Sequence, residues 1–83
     1  MHELEEQIIP LLASIIGCTE EQARTADNLF EAGLDSFAFM LLAEDLEKTY
    51  NIRFADNELA AEGFRNVALI CAQVQAKILA RAG

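Results

Sequence analysis

The apolar residues of this chain recur at helical spacing from one end to the other, and nowhere do they alternate as a half-buried strand requires. Residues 3–16 set Leu4, Ile8, Leu11, Leu12, Ile15 and Ile16 on one stripe, with Glu3, Glu5, Glu6 and Gln7 elsewhere, and Gly17 stops the helix. Pro10 removes a backbone donor and crowds the carbonyl of Glu6, which predicts a kink or a ragged first turn. A second helix is predicted over Ser36 to Tyr50, roughly 22 Å at helical rise. Its inward stripe is Phe39, Leu42, Ala43, Leu46 and Tyr50. A short third helix is expected from Asp56, as cap, to Gly63. The last runs from Asn66 to Arg81, with Val67, Ile70, Cys71, Val74 and Ile78 on one face and Arg81 at the negative end of its dipole. The expected fold is therefore an all-α bundle of three main helices and one short one, forming a single domain over residues 1–83.

Residues 18–35 read as a long connection in which Thr19 and Gln22 stand at capping-box spacing and could start a short turn. A connection of this length in a small domain has to be pinned or functional. Leu29, Phe30 and Leu34 are its expected pins, and Gly33 supplies a backbone conformation that other residues resist.

Composition removes whole classes of function. The chain has 83 residues, 14 acidic and 6 basic, for a net charge of −8. Nucleic acid would repel it, whereas basic protein surfaces would attract it. No apolar run is long enough to span a bilayer, and the N-terminus lacks the positive region of a signal peptide, so a cytoplasmic protein is expected. Cys18 and Cys71 are too far apart for a local metal or redox pair; Cys71 lies in a helical stripe and reads as a small core residue. The one histidine, His2, is terminal, so no Ser-His-Asp triad can be assembled, and no Gly-x-Ser-x-Gly elbow exists. Asp27, Leu29 and Glu31 offer no calcium-loop ladder.

The second helix carries more hydrophobe than one buried stripe can hold. Phe37 and Leu41 are four residues apart on another face, so some apolar surface in its first two turns should be exposed and suited to docking. Glu44, Asp45 and Glu47 return the surface to acidic farther along.

Immediately before it stands Gly33-Leu34-Asp35-Ser36-Phe37. Read locally, this is a helix N-cap in which either the Asp35 or the Ser36 side chain accepts a first-turn amide. On that reading the chain is a helical protein-interaction module with Phe37 and Leu41 as its docking ridge.

The wider stretch from Asn28 to Phe37 resembles the signature of the acyl and peptidyl carrier protein family: an apolar pair, a spacer, Gly, an apolar residue, Asp-Ser and another apolar residue. The resemblance covers nearly the whole chain, including the long loop, the Leu46-Glu47 pair late in the second helix and the exit from Tyr50 to Phe54. It implies a four-helix acyl-carrier-like bundle with no catalytic centre of its own. Ser36 would be the attachment residue, to which a phosphopantetheinyl transferase joins 4′-phosphopantetheine from coenzyme A with the help of a divalent metal. Asp35 would help present the serine, and Phe37, Met40, Leu41, Glu44 and Glu47 would meet partners. Those partners would be the transferase, an acyl- or aminoacyl-loading ligase, and synthase or transferase enzymes; the carrier itself would be a monomer. Housekeeping fatty-acid carriers of the family bear acidic residues early in this helix, at surface positions expected here to be Ala38 and Leu41, and leucine more often than Phe37. The departures imply a specialised lipid or secondary-metabolite carrier with few partners, with a stand-alone aminoacyl or peptidyl carrier as the alternative. Ala43, Ala60, Ala61, Ala68 and Leu69 are small or apolar residues that would permit a cargo pocket, and the short third helix is expected to be the least firmly packed element.

Overall fold

A computed structural model describes residues 2–82, with side chains placed for residues 3–80. Four α-helices form: α1 (His2–Ile16), α2 (Glu20–Thr25), α3 (Ser36–Tyr50) and α4 (Val67–Ala82). Two 3-10 turns, Asp56–Glu58 and Ala61–Phe64, separate the last two helices, and no strand occurs among the described residues. The all-α class expected from periodicity holds. The expectations placed on the side chains of His2 and Arg81 fall outside the described residues.

α1 continues through Pro10 as one helix, and Pro10 sits on its exposed side. Its expected stripe is buried at Leu4, Ile8 and Leu12, with Ile9 and Ala13 completing it. Gly17 follows at φ +85, the left-handed ending that glycine adopts without a Cβ penalty.

The first correction concerns the long connection, which contains a true helix rather than a turn. In α2, Thr19 Oγ1 accepts the Gln22 amide at 3.0 Å, and Gln22 Oε1 accepts the Thr19 amide at 2.9 Å. This reciprocal cap stabilises a six-residue helix that buries only Ala23. So little burial leaves no apolar stripe to read, which is why periodicity missed it.

A second correction concerns the short third helix. Leu59, at φ −85 and ψ 62, interrupts the helical backbone, so the segment becomes two 3-10 turns and ends at Phe64 rather than Gly63. Asp56 is not a cap; instead the Ala55 amide donates to Glu58 Oε1 at 2.7 Å. The segment is fastened to α4 by the Glu58–Lys77 ion pair and by Gln73 Nε2 donating to the Gly63 carbonyl at 2.8 Å. The bond from Lys77, aided by the Ala55 amide, holds the Glu58 carboxyl below its usual range. Phe64 is the segment's fully buried anchor.

α1 runs antiparallel to α3. The Tyr50 hydroxyl donates to Gln7 Oε1 at 2.7 Å at one end, and Gly33, just before α3, lies against Ile16 at the other. α4 starts beside the loop before α3, where the Leu29 amide donates to the Arg65 carbonyl at 2.6 Å. The Asn66 side chain caps α4, accepting the Leu69 amide at 2.9 Å. Val67, Ile70, Cys71 and Val74 are buried as expected, and burial pushes the Cys71 thiol up to about 11. The supposed pocket-forming residues are mostly elsewhere: Ala43 is buried, but Ala60, Ala61, Ala68 and Leu69 are exposed. Helical phase explains Ala68 and Leu69, which point away from the Val67–Ile70–Val74 stripe.

Candidate functional site

The loop from Asn28 to Asp35 is held from within before it delivers the chain into α3. Asn28 Oδ1 accepts the Phe30 amide at 3.0 Å, an Asx turn, and the Leu29 carbonyl accepts from both Ala32 and Leu34 at 3.0 Å. Leu29 and Leu34 are fully buried, so both act as the pins expected of them. Phe30, half-buried, meets Phe39 edge to face with centroids 5.9 Å apart. Phe39 continues to Phe64 at 4.9 Å, and Phe64 to Phe54 at 5.5 Å. The loop is thereby joined through α3 to the 3-10 segment.

Gly33 makes the turn possible. Its φ is +124, and a Cβ there would stand 3.0 Å from Ile16 Cγ2. A side chain would meet both an unfavourable backbone region and the α1 surface.

The cap then resolves an ambiguity in the motif. Asp35 is the N-cap: its Oδ1 accepts the Ala38 amide at 2.8 Å, and its carbonyl accepts the Phe39 amide at 2.8 Å. Ser36 is the first helical residue, exposed, and its hydroxyl makes no hydrogen bond among the described residues. The two residues thus divide the labour that the sequence allowed to either. The Ser36 hydroxyl stands at the positive end of a 15-residue helix whose first-turn amides precede the first intrahelical bond. A phosphodiester on that oxygen would meet oriented N–H groups at an exposed position.

Of the expected partner residues, Phe37 and Met40 are each 72% exposed and Leu41 40%. With exposed Glu44 they share the outer side of α3. Glu47 does not join them: it is half-buried, and its Oε2 accepts the Phe54 amide at 2.9 Å. Glu44 is paired with Lys48 at 3.6 Å. The outer side of α3 is therefore apolar for two turns and less acidic beyond them than the sequence suggests. Ala38 corrects another expectation, being 7% exposed rather than a surface residue. Four residues before Leu42, it lies on the buried face of the helix. No cluster of His, Cys, Asp or Glu among the described residues could hold a metal ion.

The family described as phosphopantetheine attachment site matches residues 6–74 of the chain. Among curated proteins, the non-reducing polyketide synthase sorB of Penicillium rubens is 35% identical over 57 residues, covering 69% of this chain. The chain spans 2% of that synthase's length. No solved structure matches it.

Proposed function

This chain belongs to the phosphopantetheine attachment site family, and we propose from that premise that Ser36 carries the 4′-phosphopantetheine arm. The observation that carries the assignment is the division between Asp35 and Ser36. Asp35 satisfies the cap through the Ala38 amide, so the Ser36 hydroxyl is free for esterification at a helix N-terminus. When attached, the arm supplies a terminal thiol on which cargo is held as a thioester.

The protein's own residues position that arm. Asp35 and the Asn28–Leu34 loop fix where α3 begins, Gly33 lets the loop pass close to α1, and Leu29 and Leu34 anchor it in the core. The exposed Phe37, Met40 and Leu41 lie within the next five residues and offer an apolar surface to the enzymes that load and unload the arm. The chain acts as a carrier unit and has no catalytic role of its own. An acyl cargo is supported by the likeness to a non-reducing polyketide synthase. The partners are then a phosphopantetheinyl transferase, a loading enzyme and synthase components that recognise apolar shape more than charge.

Incubation of the apo protein with coenzyme A, a divalent metal and a broad-specificity phosphopantetheinyl transferase tests the assignment. Wild type gains one arm by intact mass and the Ser36→Ala variant gains none. A wild type that stays unmodified contradicts the proposal.

A further inference from the structure

Ser36 and Phe39 stand three residues apart on α3, one turn along the same flank. Helical side chains lean towards the N-terminus, so the Phe39 ring covers the turn that begins at Ser36. Around the helix axis, half-buried Phe39 falls between exposed Ser36 and the fully buried Leu42 and Leu46. A chain that starts on Ser36 and turns into the core on this flank has to pass that ring. On the other flank, exposed Met40, Phe37 and Leu41 separate Ser36 from the buried face.

Phe39 is held on both sides. It meets Phe30 of the preceding loop at 5.9 Å and Phe64 of the second 3-10 turn at 4.9 Å, edge to face in each case. Phe64 is fully buried and meets Phe54 at 5.5 Å in turn. Four rings therefore fill the seam between the loop, α3 and the 3-10 segment. Admitting a chain there would take from Phe39 both of its ring contacts. Open surface clefts gather instead around Asn51, Ile52 and Arg53 and beside Tyr50, at the end of α3 away from Ser36.

We infer that Phe39 plugs the bundle beneath the attachment point, so that cargo on the arm stays outside the core. The inference rests on Ser36 bearing the arm, as proposed above. A cargo left in water has to suit water. Each methylene of a saturated chain forgoes the burial that a sheltering core would give it, whereas carbonyl and hydroxyl groups keep their hydration. The substrate class that fits is a short or oxygen-rich acyl chain rather than a long alkyl one.

The test loads the apo protein with coenzyme A, hexanoyl-coenzyme A or decanoyl-coenzyme A through a broad-specificity transferase, confirms each product by intact mass, and compares thermal unfolding. Wild-type midpoints should agree within about 1 °C whatever the chain, because nothing apolar is buried on loading. Phe39→Ala leaves a ring-sized apolar space, and such a space takes up apolar ligands. Its hexanoyl form should therefore melt at least about 3 °C above its own unacylated form. Phe39→Leu, which removes less, should show a smaller rise in the same direction and covers the case in which alanine prevents folding. A loaded wild type whose midpoint climbs with chain length overturns the inference. So do folded Phe39 variants that gain nothing from either chain. A wild type that accepts no arm at all overturns instead the attachment at Ser36, and the inference with it.

Discussion

The Asp35 carboxylate accepts the Ala38 amide at 2.8 Å, and Ala38 is itself buried beneath the first turn of α3. One residue therefore fixes both where the helix starts and which face turns inward, leaving its neighbour Ser36 outside. Asp35→Ala should cost about 1 kcal/mol in stability, the usual value of a lost N-cap. Ser36→Ala, at an exposed position, should change stability by less than about 0.5 kcal/mol. Urea denaturation of the two variants checks this; equal losses would mean that Ser36 shares the cap.

Gly33 is the next constraint. Alanine there must adopt φ +124 and place its Cβ 3.0 Å from Ile16 Cγ2. Gly33→Ala should lower stability by more than about 1 kcal/mol, against the gain that the same substitution brings where the backbone permits it. Thermal unfolding reads the loss, and a neutral or stabilised variant would show that the turn relaxes.

Two phenylalanines should separate stability from recognition. Phe64 is fully buried and meets both Phe39 and Phe54 edge to face, so Phe64→Ala should cost about 3–5 kcal/mol. Phe37 is 72% exposed, and Phe37→Ala should leave stability within about 0.5 kcal/mol while slowing a partner enzyme that docks on α3. Denaturation paired with loading kinetics distinguishes the two roles.

The alkaline limb of stability should report Cys71. Burial raises its thiol from 9.0 to about 11, with Glu5 adding to the rise, and burial also raises Tyr50, with Cys71 adding to that. The folded state holds these protons more tightly than the unfolded state. The thiol's contribution is thus complete below its unfolded value and is lost as pH rises from about 9 towards 11, and Tyr50 adds a loss of the same sign at alkaline pH. Cys71→Ala should flatten the thiol's share of that fall. Alkylation at mild pH should modify half-buried Cys18 first and reach Cys71 only on unfolding.

What the residues disclosed before the fold was known follows from how much each buries. Ser36 to Tyr50 was legible to both ends because a capping Asp-Ser pair opens it, and its Leu42–Leu46 stripe is fully buried. Leu29 and Leu34 stood out as apolar residues in a polar loop, and both are fully buried. α2 was hidden because a helix burying only Ala23 has no periodic stripe. The break at Leu59 is a backbone event with no distinctive residue type, so two 3-10 turns read as one helix. Ala38 and Glu47 were misplaced for a shared reason: alanine and glutamate are at home on a surface, and only tertiary contacts turn one inward and tie the other to the Phe54 amide. At the site, Gly33, Asp35 and Ser36 are legible in the sequence, but both Asp and Ser cap helices equally well by residue type, and only the Asp35–Ala38 bond distinguishes them.

The chain contains two serines, Ser14 on the exposed side of α1 and Ser36 at the start of α3. Enzymatic transfer from coenzyme A followed by intact-mass and fragment mapping decides between them. The arm should appear once, on the fragment containing Ser36, in wild type and in Ser14→Ala, and be absent from Ser36→Ala. An arm on Ser14, or a Ser36→Ala protein that is still modified, would contradict the assignment.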